Sequence, residues 1–314
     1  MEHELDAEAI RQLLDPAAWP AVDEPPQLIE THISWVILAG EFAYKIKKPV
    51  SLGFLDFSTR ALRKHYCEEE LRLNRRTAPE LYLDVVSIGR THAGLRVGAE
   101  PVVDYAVKMR RFPEEARLDH GLRAGRLGPV DMRELAAMIA DFHDRLAPSI
   151  NRDAAFAAER ASKPVLNNFT YLRENLGRRG PPQLERVEDW TSRQIEALRP
   201  VFAARAAGGF VRECHGDLHL ANLLRLEGRF RAFDCIEFDE GLRRIDIVND
   251  MAFLVMDLEH RGRDDYARRF LNKYLEHTGD YAGLGVFSYY LAYRALVRAK
   301  VDGIRLRQES TDAG

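Results

Sequence analysis

The sequence changes character once, near Met109, and this change limits the possible folds more than any other feature. Before it, short apolar stretches alternate with period two: 27–31, 35–38, 42–47, 82–89 and 102–109 read as strands. Gly40-Glu41 supplies a tight turn and Pro49 ends the third strand. A single helix interrupts them, capped by Ser58 or Thr59 and running to about Arg76, with Leu62, Tyr66 and Leu73 on one face. Beyond Met109 the apolar spacing is helical, over 131–146, 166–177, 187–205, 246–260, 263–277 and 286–301, with a loop at Arg178-Arg-Gly-Pro-Pro182. Residues 1–26 hold one short helix, Ala7 to Leu14, broken off by Pro16, Pro20 and Pro25-Pro26. The pattern predicts an α+β protein with an N-terminal extension (1–26), a lobe built on a five-stranded antiparallel sheet plus helix (27–112) and a mostly helical lobe (113–314). The hinge falls near Met109 to Pro113.

Bulk composition excludes several classes. The 314 residues are 46% hydrophobic and 30% charged, with a formal net charge of −3, a balance that calls for neither nucleic acid nor a membrane. The opening residues are acidic and lack the apolar core of a signal peptide, so a cytoplasmic protein is expected. Cys67, Cys214 and Cys235 have no metal-like spacing and read as reduced, buried thiols.

Chemistry concentrates in His215-Gly-Asp-Leu-His-Leu-Ala-Asn222, followed by Phe233-Asp234 and Asp246-Ile-Val-Asn-Asp250. Phosphoryl transfer to an alcohol needs a carboxylate for the hydroxyl and oxygen ligands for Mg²⁺. Asp217 and Asn222 have the spacing of a kinase catalytic loop, and Asp234 follows a short apolar strand as a second metal ligand would. Taken alone, His215-x-Asp217-x-His219 also fits a metal ligand set of a hydrolase. Glu237, Asp239 and Glu240 form an acidic stretch that could attract a cationic substrate, and His143 reads as a packing or capping residue.

These motifs, with Leu135-Ala-Ala-Met-Ile-Ala-Asp-Phe-His143 before them, resemble the aminoglycoside phosphotransferase and choline kinase superfamily. His32-Ile-Ser-Trp35, Ala43-Tyr-Lys-Ile-Lys-Lys-Pro49 and Cys67-Glu-Glu-Glu-Leu-Arg-Leu-Asn74 resemble one bacterial branch of it. The resemblance implies a protein-kinase-like fold that uses ATP and Mg²⁺ on a small-molecule hydroxyl, such as an amino sugar or aminoglycoside. Asp217 would be the base, Asn222 and Asp234 the metal ligands, and His215, Asp246 and Asp250 the supports of the loop. Ile247 stands where the family's motif has proline, which weakens the carry-over to Asp246. Lys45 aligns with the lysine on the ATP phosphates, with Lys47 in reserve on the same strand face. Its helix partner is Glu69 or Glu70; the apolar face does not choose, and Glu70 is the reading adopted. Met109 joins the nucleotide side. No glycine loop lies between the first two strands, so Ser34 or Thr31 would take its place; this gap also leaves open a nucleotide-binding module without catalysis. Longer proteins resembling this chain carry a P-loop ATPase domain. These residues contain no GxxxxGK[ST], so the expectation is that such a partner is either absent or a separate chain.

Overall fold

The computed structural model describes residues 5–20, 22–52, 55–176 and 183–312. The chain divides into two compact units, one of Met1–His120 with Leu224–Asp239, the other of Gly121–Leu223 with Glu240–Gly314.

The first unit is built on strands β1 (Gln27–Glu30), β2 (Ser34–Ala39), β3 (Phe42–Lys47), β4 (Tyr82–Thr91), β5 (Gly94–Val97) and β6 (Val102–Arg110), in the order β1-β2-β3-β6-β4-β5. Neighbouring strands are antiparallel throughout. The sheet therefore has six strands, not five. The unexpected one, β5, is four residues long and pairs only with β4, too short to show an alternation of its own. Gly40, at φ +58, makes the β2–β3 turn.

Period-two alternation gives the sheet two distinct faces. Trp35, Ile37, Tyr44 and Ile46 form one core with Leu5, Ile10, Leu13 and Trp19, so α1 (Ala7–Arg11) and the turns after it cover this face. Trp19 and Tyr44 pack with centroids 4.3 Å apart and ring planes tilted by 45°. The opposite face carries Lys45 and Lys47 and receives α2 (Arg60–Asn74), whose N-terminus is capped by the Thr59 hydroxyl. Arg63 of α2 bonds Asp104 of β6 at 2.8 and 3.1 Å, fixing helix to sheet. The hairpin of β8 (Leu223–Leu226) and β9 (Arg229–Ala232) brings Leu224, Leu226 and Phe233 into the smaller core around Cys67, Tyr82 and Val107.

α3 (Leu118–Arg123) leads into the second unit, which is helical, with α4 (Pro129–Arg145), α5 (Ala154–Leu176), α6 (Gln183–Ala207), the short α7 (Glu240–Arg243), α8 (Ile247–His260), α9 (Asp264–Thr278) and α10 (Leu284–Asp312). A two-stranded ribbon joins β7 (Val211–Glu213) to β10 (Arg244–Asp246). Its centre is α8, buried from Ile247 through Leu258; nine of those twelve residues are apolar, and the other three are Asn249, Asp250 and Asp257. α5 begins twelve residues before the expected 166 and runs through Pro164. The loop expected at 178–182, and residue 177 of the helix before it, lie outside the described residues. Among the described residues no helix is long and apolar enough to cross a membrane. All three cysteines are buried and outside any disulfide.

Candidate active site

In the first unit, strand pairing sets Val36 beside Lys45 and Ser34 beside Lys47 on one sheet face, with Val107 and Met109 of β6 continuing that face. Lys45 Nζ lies 2.9 Å from Glu70 Oε1 and 2.5 Å from Asp234 Oδ1. Lys47 Nζ lies 2.8 Å from Glu70 Oε2 and also pairs with Glu237. The result is a row of alternating charge: Asp234, Lys45, Glu70, Lys47, Glu237. Glu69, the other helix candidate, is turned to Arg72 one turn along α2.

Burial alone would neutralise these groups, yet opposite neighbours outweigh it. Burial raises the Glu70 carboxyl, but Lys45 and Lys47 bring it down to about 2. Burial lowers Lys45, but Asp234 and Glu70 more than offset this and hold it well above the usual lysine range. Lys47 is likewise raised, by Glu237 and Glu70. Lys47 and Glu70 are wholly buried, whereas the Asp234 side chain is 44% exposed. Glu237 is only 4% exposed, so it serves Lys47 and is not displayed to a cationic substrate.

Asp234 sits at φ +62, a left-handed conformation that costs a non-glycine residue energy and must be held by its surroundings. Its N–H donates to the Tyr82 hydroxyl at 3.1 Å, and the next N–H, of Cys235, donates to Asn74 Oδ1 at 2.9 Å. Thr77 Oγ1 holds the Ala232 carbonyl at 2.7 Å. The Asn74 and Tyr82 contacts were not anticipated, since they join residues more than 150 positions apart.

Ser34 is fully buried and its Oγ has no hydrogen-bond partner among the described residues. The Thr31 hydroxyl donates to the Ser34 carbonyl at 3.0 Å, closing the β1–β2 turn on itself.

In the second unit, Asn222 Nδ2 donates to Asp217 Oδ2 at 2.8 Å and to the Asp217 carbonyl at 3.0 Å. His219 Nε2 approaches the same Oδ2 at 3.3 Å. Burial would raise the Asp217 carboxyl; His219, then His215 and Arg294, hold it well below the ordinary range. The same partnership raises His219, against the effect of its own burial. His215 Nδ1 accepts the Asp217 N–H at 3.3 Å, which explains the need for an imidazole two residues before the carboxylate.

The loop backbone is fixed from below. Asp250 accepts the N–H of His215 at 3.0 Å and of Gly216 at 2.8 Å, and meets His143 Nε2 at 3.1 Å. His143 Nδ1 in turn meets the Tyr274 hydroxyl at 2.7 Å, so this histidine orients Asp250. Two turns along α8, Asp257 accepts the Leu220 N–H at 3.0 Å. Arg294 of α10 donates to the Gly216 carbonyl at 2.9 Å and the Asn249 carbonyl at 3.1 Å. Asp257 and Arg294 carry no sequence signature for this task. Asp246 works elsewhere than expected: its carboxylate takes Arg205 at 2.6 and 2.9 Å and caps α8 through the Val248 N–H. Arg205 is shared with Asp280.

The hydrolase ligand set does not form. Among the described residues, the trio of histidine, cysteine or acidic ligand atoms lying within 4.8 Å of one another is His143, Cys214 and Asp250, not His215, Asp217 and His219. That buried trio is already occupied by the Asp250–His143–Tyr274 bonds.

The architecture matches solved kinases. A choline/ethanolamine kinase family protein from Mesorhizobium loti superposes with a TM-score of 0.52 at 14% identity, over 96% of this chain and 86% of that one. Aminoglycoside 2'-phosphotransferase-IIIa, in its GDP complex, gives 0.52 at 14% identity, over 92% and 89%. The chain has the protein-kinase-like fold that these choline kinase and aminoglycoside phosphotransferase structures share. In sequence, it is 34% identical over 298 residues to uncharacterized proteins of Mycobacterium tuberculosis and Mycobacterium bovis, covering 94% of this chain. It spans 58% of the length of those curated relatives. No family model matches it.

Proposed function

We propose that the chain is an ATP-dependent phosphotransferase acting on a small-molecule hydroxyl. The observation that carries this reading is the Asp234–Lys45–Glu70 ion-pair row, in which a largely buried lysine is kept charged between a helix glutamate and an aspartate of strained backbone. Such a lysine is a preorganised partner for phosphate oxygens. Asp217 supplies the acceptor side: with Oδ2 engaged by Asn222 and His219, Oδ1 remains to orient a hydroxyl and take its proton.

The donors fit a magnesium ion. Asp234 offers a carboxylate and Asn222 its amide oxygen, because Nδ2 is committed to Asp217; both are the oxygen ligands a hard cation prefers. Magnesium, when bound, would neutralise phosphate charge. The protein's own contribution is to fix each oxygen within its unit: Tyr82 and Asn74 hold the backbone at Asp234 and Cys235, and Asp217 holds the Asn222 amide.

A second reading, nucleotide binding without transfer, is favoured by the β1–β2 turn, where Thr31 is bonded to Ser34 and no glycine offers its backbone to phosphate. One experiment separates the two: ATP consumption across amino sugars, aminoglycosides, choline-like alcohols, sugars and nucleosides, with Asp217→Asn as the blank. Acceptor-dependent consumption lost in the variant supports transfer. Mg·ATP binding with no consumption anywhere in the panel supports the module.

A further inference from the structure

Oδ1 of Asp234 is engaged by the Lys45 ammonium, so a cation arriving at that oxygen displaces the lysine. The left-handed backbone of Asp234 must then be held by contacts that the exchange leaves alone. Three side chains make such contacts, all to backbone atoms. Thr77 holds the Ala232 carbonyl, the Tyr82 hydroxyl accepts the Asp234 N–H, and Asn74 Oδ1 accepts the Cys235 N–H. Thr77 and Asn74 also serve the end of α2: Thr77 Oγ1 reaches the Asn74 carbonyl at 3.4 Å, and Asn74 Nδ2 donates to the Glu70 carbonyl at 2.8 Å. The Tyr82 hydroxyl has no such second duty.

Tyr82 begins β4 and is 2% exposed, its ring packed in the core with Cys67, Leu81 and Val107. Phenylalanine would fill that space equally well, so packing does not account for the hydroxyl. Among the described residues its hydrogen bond is the one it accepts from Asp234, and the hydroxyl hydrogen itself is uncommitted. Burial, then the charges of Glu70 and Asp234, raise the phenol well above the usual tyrosine range, so it stays neutral. A neutral hydroxyl keeps its bond to the Asp234 N–H whichever cation the carboxylate faces. We infer that Tyr82 is a positioning residue for the metal ligand: its hydroxyl fixes Asp234 while the carboxylate exchanges Lys45 for a metal ion. Tyr82 thereby sets affinity for the metal–nucleotide complex rather than for nucleotide alone. This role rests on the nucleotide binding proposed above.

The test compares the wild-type full chain with Tyr82→Phe, which differs by one oxygen and keeps the ring. Hydrogen exchange should show the Asp234 amide exchanging about tenfold faster in the variant, with the β3 amides changing less. Calorimetric titration should show Mg·ATP binding weakened about tenfold, and ATP in EDTA bound within about twofold of wild type. In an Asp234→Ala background the same change should alter Mg·ATP affinity by less than about twofold, since Tyr82 acts through Asp234. A merely structural hydroxyl would weaken both forms of ATP alike. That parallel loss overturns the role, as does an Asp234 amide protected as in wild type, or an equal loss in the Asp234→Ala background. Mg·ATP affinity untouched by Tyr82→Phe overturns this role alone; a wild type with no affinity for Mg·ATP overturns the nucleotide reading as well.

Discussion

Replacing Asp250 by Asn tests the scaffold of the loop most directly. The wild-type carboxylate is fully buried and receives the N–H groups of His215 and Gly216 and the His143 ring. The amide keeps one acceptor oxygen and turns an NH₂ group toward what was a donor. One charge-assisted bond is lost, worth ~1.5–3 kcal/mol, and a donor is set against a donor in a buried site. A total of about 3–5 kcal/mol follows, as for other broken buried pairs. At roughly 2–4 °C per kcal/mol, the Tm should fall by about 6–20 °C. The acid side gives a second signature. Burial would raise this carboxyl, but the His143 hydrogen bond and the His143, His215 and Arg294 charges bring it from 3.8 down to about 2. An acid depressed on folding contributes stability above its unfolded value and loses it as pH falls through the folded one. Here roughly 2 kcal/mol is present at neutral pH and disappears between about pH 4 and pH 2. The gap between wild type and Asp250→Asn should narrow over that interval. Calorimetry measures the gap, and hydrogen exchange localises it to the amides of 215 and 216. A variant within about 2 °C of wild type at pH 7, with those amides still protected, would refute the bracing role.

Other outcomes follow from the ion-pair row and the loop. Lys45→Met should abolish most of the stabilisation by Mg·ATP, whereas Lys47→Met should act on the fold, costing about 3–5 kcal/mol by removing the buried cation paired with Glu237 and Glu70; thermal melts with and without nucleotide distinguish them. ATP with Mg²⁺ should raise the Tm and EDTA should remove most of the rise, because the offered ligands are oxygens of Asn222 and Asp234; equal shifts with and without metal count against those ligands. Asp217→Asn should lower turnover about 10²–10⁴-fold with ATP affinity little changed, while Asp234→Asn should damage both. Near-normal transfer by Asp217→Asn would remove it as the base.

Short-range order made much of this legible. Asp217, Asn222, Asp234 and Asp250 stand out because a loop, a hairpin and a helix start fix their spacing, and Lys45 because strand alternation puts it on the face of α2. The choice between Glu69 and Glu70 was not available from α2 alone: both suit the helix, and only the sheet it docks on shows that Glu70 faces the lysines. Arg294 and Asp257 reach the loop from 78 and 37 residues away. No local pattern marks such bonds. β5 was hidden by its length, and the first half of α5 by Pro164, which reads as a helix breaker but here costs one internal hydrogen bond in a 23-residue helix.

The grip on Glu70 has a consequence for control. Kinase-like folds can be turned off by displacing the helix that carries this glutamate, which breaks its one bond to the lysine. Here each Glu70 oxygen has its own lysine, and each lysine a second acid from the 234–237 segment. Withdrawing α2 would take from each of the two lysines one of its two acids and pull a wholly buried carboxylate out of its paired site, so the helix is tied to the sheet at two points rather than one. Under the phosphotransfer proposed above, this double tie disfavours control by helix displacement and leaves it to the supply of nucleotide and of the acceptor.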